Sequence, residues 1–159
     1  MTDFGGLIRA LAGSEVKFVL VGGVAATLHG SARLTQDVDV VYARDGENLA
    51  RIARALAPLK PYLRGAPPGL PFTLDEQTLA SGLNFTLATS AGDIDLLGEI
   101  AGAGTYEALI GHTIEVELFG QRCRCLDLAA LINAKIAAGR PKDLEAIAEL
   151  RAIQQERGR

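Results

Sequence analysis

Asp37 and Asp39 stand one residue apart in Gln36-Asp37-Val38-Asp39-Val40-Val41-Tyr42, a run whose apolar members predict a strand over Val38–Tyr42. A period of two puts both carboxylates on one face and turns Val38 and Val40 toward a core. Two carboxylates that close repel, and each favours protonation of the other. A divalent cation between them removes that cost. Magnesium suits such donors because it prefers carboxylate oxygens and keeps positions open for substrate phosphates. A third acid is available in Gly92-Asp93-Ile94-Asp95-Leu96-Leu97. Asp95, apolar on both sides, is expected to face a site, whereas Asp93 beside a turn is expected in solvent. Three carboxylates can hold two ions, one to activate an attacking oxygen and one to bind a triphosphate and its leaving pyrophosphate. A lone Asp-x-Asp is more often a solvated strand face, so the pair needs support from elsewhere in the chain.

That support starts at Gly22-Gly23, between the apolar run Phe18-Val19-Leu20-Val21 and a helical stretch from Val24 to His29. Small residues there let backbone amides approach phosphate oxygens at a helix N-terminus; an ordinary strand-to-helix turn looks the same. No Gly-Lys-Ser/Thr follows, so this is not a P-loop, and the spacing to Gly30 is wrong for a dinucleotide fingerprint. Lys135, Arg140 and Lys142 fall around the junction of two C-terminal helices, where they could neutralise triphosphate charge or simply line a solvated corner. Arg33 is expected either to contact a phosphate or to pair with Asp37 and hold its loop. Asp143 suits a helix start and reads as structural. His29 and His112 read as cap or surface histidines, and neither Ser31 nor Ser81 has a base partner in view.

The elements that must position these residues follow from periodicity. Helices are expected over Phe4–Leu11, Val24–His29 and Asn48–Leu56, the last stopped by Pro58. Lys60–Pro71, with four prolines and two glycines, is expected as a surface loop or a lid over a site. Leu83–Ala88 and Ile94–Leu97 form strands around Ser90-Ala91-Gly92, and Tyr106–Ile110 a short helix. Thr113–Phe119 and Arg122–Leu126 form a hairpin turning at Gly120-Gln121. Asp127 caps a helix over Leu128–Ala138, Gly139 closes it, and Pro141 opens a last helix to about Gln155. The fold class is α/β (α+β), a mixed sheet flanked by helices with a C-terminal helix pair. Its antiparallel middle argues against a doubly wound parallel sheet.

Composition bounds the rest. A chain of 159 residues with 48 % apolar content is long enough for one cored domain, with the core over about 1–126 and a helical segment over about 127–156. The net charge of −3 disfavours extended contact with duplex DNA. Cys123 and Cys125 are too few and too close for a disulfide framework and read as thiols of a reduced strand. The longest apolar stretch, the eleven residues Phe18–Leu28, is too short to span a bilayer, and no signal-peptide pattern opens the chain, so a cytoplasmic location is expected.

Val21-Gly22-Gly23, thirteen residues, then Asp37-Val38-Asp39-Val40 resembles the signature of the DNA polymerase beta-like nucleotidyltransferase superfamily. Asp95 in Ile94-Asp95-Leu96 matches its later third acid. Arg33-Leu34-Thr35-Gln36-Asp37-Val38-Asp39 looks like the Arg-x-Thr-x-Asp-x-Asp form of small stand-alone bacterial members, the minimal nucleotidyltransferases and the toxin-type members of abortive-infection systems. Leu126-Asp127-Leu128 through Lys135 and Gly139-Arg140-Pro141-Lys142-Asp143-Leu144 resemble their C-terminal helix pair, so the likeness runs from Val21 to about Leu150.

The resemblance implies a nucleotidyltransferase fold, magnesium (with manganese as an alternative) and a nucleoside triphosphate such as ATP. It makes Asp37, Asp39 and Asp95 the metal ligands and catalytic acids, with Asp95 also a candidate base. Gly22, Gly23, Arg33, Thr35, Lys135, Arg140 and Lys142 are then the nucleotide-binding set. Gly23 stands where the family often has Ser, leaving only a backbone amide there. The expected activity is transfer of a nucleoside monophosphate to a hydroxyl on a protein, a tRNA or a small molecule, with a protein partner from a toxin-antitoxin or abortive-infection system. The alternative is a non-catalytic nucleotide-binding or antitoxin module of the same fold.

Overall fold

The computed structural model describes residues 1–158. The chain runs α1 (Phe4–Gly13), β1 (Phe18–Val21), α2 (Gly22–Leu28), β2 (Asp37–Tyr42), α3 (Gly46–Leu56), β3 (Tyr62–Leu63), α4 (Glu76–Ser81), β4 (Phe85–Thr89) and β5 (Gly92–Leu97). It continues through β6 (Glu99–Ile100), β7 (Gly104–Thr105), α5 (Tyr106–Leu109), β8 (Thr113–Leu118), β9 (Gln121–Leu126), α6 (Leu128–Ala138) and α7 (Leu144–Arg157). Seven strands form one mixed sheet in the order β3-β4-β5-β2-β1-β9-β8. The centre mixes both senses: β2 runs antiparallel to β1 but parallel to β5, and β1 runs parallel to β9. The mixed sheet with flanking helices agrees with the fold class expected from the sequence.

Burial explains the sheet's centre. All four residues of β1 are buried, as a continuous apolar run requires in a strand covered on both faces. On β2, Val38 and Val40 are fully buried while Asp37 and Asp39 on the other face are half-buried. Carboxylate side chains cap four helices, one expected and three unforeseen: Asp3 for α1, Asp45 for α3, Asp75 for α4, and the expected Asp127, whose Oδ1 accepts from the Ala130 amide at 2.8 Å, for α6. Gly139 ends α6 in the left-handed conformation.

Several boundaries differ from the sequence reading. Gly22 and Gly23 belong to the first turn of α2 instead of preceding it. The β8–β9 turn falls on Phe119-Gly120, one residue early, with both residues at positive φ, the geometry of a two-residue hairpin loop. Pro141 opens a short 3-10 turn, Pro141–Asp143, and α7 begins only after it. The segment expected to be loop throughout carries β3, an edge strand that pairs with β4. The prolines of this segment all lie outside β3, and Pro61 directly before it is compatible with a strand at the sheet's edge.

Candidate active site

Parallel pairing of β2 and β5 sets Asp37 opposite Asp93 and Asp39 opposite Asp95. Asp37, Asp39 and Asp95 each offer one carboxylate oxygen, and these three oxygens lie within 4.8 Å of one another. Asp39 Oδ1 is buried yet accepts no hydrogen bond, and buried Asp95 Oδ1 has an ion-pair contact with Arg64 but no aligned hydrogen bond. A buried carboxylate oxygen without a donor is costly, and a cation coordinated by all three acids would satisfy it. The donor set, oxygen only, fits magnesium or manganese. Burial, followed by the charges of Asp37 and Asp95, pushes the Asp39 carboxyl up to about 7, and burial followed by Asp95 raises Asp37.

The cluster opens into a cavity of about 300 Å³ floored by Gly22, Asp39 and Asp95. Leu97, Ile100, Leu131 and Ala134 give it apolar lining, and Lys135 and Arg140 line it as well. A second cavity of about 330 Å³, lined by Gly23, Arg33, Lys142 and Asp143, adjoins it through Lys135, which lines both. Six of the seven residues expected to bind nucleotide therefore border two adjoining cavities beside the acids. Lys135 and Arg140 are brought together by the buried Asp143, at 3.8 Å and 2.6 Å, so that residue orders the basic corner as well as beginning a helix.

Other residues part from their expected roles. Arg33 pairs with Glu145 at 3.6 Å and not with Asp37. Thr35 borders neither of these cavities; its hydroxyl donates to the Asp37 carbonyl at 3.2 Å, and it lies against Gly23. The glycine pair is explained by chain packing on chain. A Cβ on Gly22, whose φ is +64°, would meet Asp39 Oδ2 at 2.1 Å, and one on Gly23 would meet Thr35 Oγ1 at 2.4 Å. His29 is buried: its Nε2 bonds to the Leu126 carbonyl at 2.8 Å, and Arg157 lies 3.1 Å from its Nδ1. A carbonyl can only accept, so the proton sits on Nε2 and the ring joins elements without doing chemistry. Ser31 Oγ donates to Glu149 at 2.6 Å and accepts from the Arg33 amide at 3.2 Å, so its hydroxyl is engaged in holding the chain. Both cysteines are free and buried; burial pushes Cys123 up to about 11 and Cys125 to about 12, so neither is a thiolate nucleophile.

One residue of the site was not foreseen. Arg64, just after β3, reaches across β4 to the acids, with Nη2 2.8 Å from Asp95, Nε 3.3 Å from Asp93 and Nη1 3.9 Å from Asp37. Asp93, expected in solvent, is accordingly half-buried and paired. The only sequence signal for Arg64 is its being the single arginine in a stretch of prolines and glycines.

No family model matches the chain, and no curated protein matches it in sequence. Among solved structures the architecture is that of a nucleotidyltransferase fold. A candidate nucleotidyltransferase from Thermotoga maritima is similar over 90 % of this chain and 86 % of its own, with TM-score 0.57 and 17 % identity. ANT(2")-Ia, solved with adenylyl-2"-tobramycin, is similar over 97 % of this chain and 95 % of its own, with TM-score 0.52 and 16 % identity. At such identities the likeness concerns the fold. Among the described residues no helix is long and apolar enough to cross a membrane.

Proposed function

We propose that the chain is a metal-dependent nucleotidyltransferase that moves a nucleoside monophosphate from a nucleoside triphosphate to a hydroxyl acceptor. The observation that carries this reading is the meeting of Asp37, Asp39 and Asp95 on adjacent parallel strands, with a buried Asp39 oxygen that no donor satisfies, beside a cavity that Asp39 and Asp95 line together with Lys135 and Arg140. Asp37, Asp39 and Asp95 would hold the divalent ions. When bound, such ions neutralise phosphate charge and lower the pKa of the attacking hydroxyl. Lys135 and Arg140, ordered by Asp143, would hold triphosphate oxygens, and Arg33 and Lys142 would extend that field into the adjoining cavity. Asp95 accepts the acceptor's proton in this scheme; the freed oxygen forms a bond to the α-phosphorus as the bond to pyrophosphate breaks. Rate enhancement would come mainly from positioning and charge neutralisation.

The acceptor candidates are a protein Tyr or Ser, a tRNA end, or a small polyhydroxyl compound of the kind seen adenylylated in ANT(2")-Ia. A role in a two-component toxin-antitoxin or abortive-infection system rests on the sequence resemblance. The deciding experiment incubates the protein with each α-labelled triphosphate, magnesium, and lysate with its tRNA. A discrete labelled acceptor that disappears with Asp39→Asn is the expected result. Magnesium-dependent triphosphate binding without any labelled acceptor would leave a binding module instead, and absence of both would remove the nucleotide site altogether.

A further inference from the structure

Arg64 brings a permanent positive charge into a cluster of acids, and its contacts have an unusual quality. A structural arginine-carboxylate bridge is normally a two-pronged, well-aligned hydrogen-bonded fork. Here Arg64 Nη2 sits 2.8 Å from Asp95 Oδ1, yet Asp95 Oδ1 and Arg64 Nε are both buried without an aligned hydrogen bond. The one aligned bond of the guanidinium goes to the Leu87 carbonyl at 2.9 Å. The backbone beneath is fixed more firmly: the Arg64 amide donates to Thr86 at 3.0 Å, and Thr86 is the cross-strand neighbour of Asp95. The sheet thus delivers the guanidinium to the acids, while Coulomb attraction and not hydrogen-bond geometry holds it against them. A single positive charge faces Asp37, Asp93 and Asp95 there, and Lys135 and Arg140 are engaged by Asp143.

We propose that Arg64 is a built-in counter-ion that competes with the divalent cation for the Asp37–Asp95 side of the cluster, so that metal binds tightly only together with the charge of a triphosphate. The proposal rests on the metal-dependent reading of the same acids. Arg64 is a positioning residue in this scheme: it acts through the carboxylates. A unit charge some ångströms from a divalent ion in a partly solvated cleft changes its affinity by about tenfold.

The test is manganese binding to the full chain without nucleotide, followed by electron paramagnetic resonance of the free ion. Arg64→Gln is expected to bind manganese about tenfold more tightly than the parent. Equal or weaker binding overturns the proposal. Asp95→Asn in the Arg64→Gln background separates the two ideas. If Asp95→Asn leaves the affinity unchanged, the acids are not a metal site and the functional reading fails with it. If Asp95→Asn weakens binding but Arg64→Gln does not tighten it, only the role of Arg64 falls. A second readout needs no stability from the variant: the Arg64 Nε–H resonance of the parent protein, assigned by its loss in Arg64→Lys, should shift as magnesium is added and stop shifting at saturation. A resonance that stays in place through saturation overturns the proposal.

Discussion

Gly22 and Gly23 set how closely two segments of the chain can meet the acids. At Gly22 the backbone has φ +64°, and the space a methyl group would need is filled by the Asp39 carboxylate. Gly22→Ala should therefore both strain the backbone, at about 1–3 kcal/mol, and displace a proposed metal ligand. Manganese affinity measured by calorimetry should fall at least about tenfold, with loss of any transfer activity; an unchanged affinity would show that Asp39 tolerates the shift and is not held in place from this side. Gly23 separates packing from family pattern more sharply. The superfamily resembled by the chain often has Ser there, but here the Ser Cβ would meet Thr35 Oγ1 at 2.4 Å. Gly23→Ser is expected to cost about 1–3 kcal/mol in urea unfolding, as overpacking does. Thr35→Gly in the same chain should recover at least part of it, because the double variant removes the atoms in conflict. Additive losses in the two substitutions would rule out that contact as the cause.

At the scale of elements, α7 holds the segment that leads from α2 to β2. Glu149 accepts from Ser31 Oγ and from the Ala32 amide, Glu145 pairs with Arg33, and Arg157 reaches the ring and carbonyl of His29. The His29 ring in turn joins the end of α2 to β9 through the Leu126 carbonyl. His29→Ala leaves that buried carbonyl without its donor and releases Arg157, so a loss of about 1–3 kcal/mol is expected. Hydrogen exchange should show the last turns of α7 opening first, and unchanged protection there would mean α7 is docked by its apolar face alone. The elements legible from sequence were those with their own periodicity or caps: β1 and β2 as apolar runs, the β4–β5 and β8–β9 hairpins, and α6 between Asp127 and Gly139. What escaped has little local signal. β3 and the β6–β7 pair are two residues per strand and exist through their partners, and α4 is six residues begun by a lone Asp75 cap. Asp37, Asp39 and Asp95 were readable because the pleat fixes which side chains share a face. Arg64 was not, because only the pairing of β3 with β4 carries it to the acids.

For the molecule as a whole, concentrating acids at one place ties global stability to pH and to divalent cation. Asp39 titrates at about 7 in the folded chain, against an ordinary 3.8, because of burial and then of Asp37 and Asp95; Asp37 is raised as well, by burial and then by Asp95. A raised carboxyl holds its proton in the folded state after the unfolded state has lost it. Its stabilising contribution is complete below the unfolded value and is lost as pH rises toward about 7, after which it is flat. Asp75, held low by the Thr78 amide, and Glu149, held low by Ser31, act with the opposite sign, and only in the acid range below the ordinary carboxylate values. Metal-free protein should therefore show a melting temperature that declines between pH about 4 and about 7. A divalent cation binds the ionised carboxylates and competes with their protons. Added magnesium should raise the melting temperature little at pH about 5 and by several degrees at pH about 8, through binding to the folded state alone. Asp39→Asn carries no titrating group at that position, so its metal-free melting temperature should decline less over the same range, and its response to magnesium should be weak at every pH. A magnesium effect of equal size at both pH values, or one retained in Asp39→Asn, would place the ion elsewhere on the protein and detach the acid cluster from metal binding.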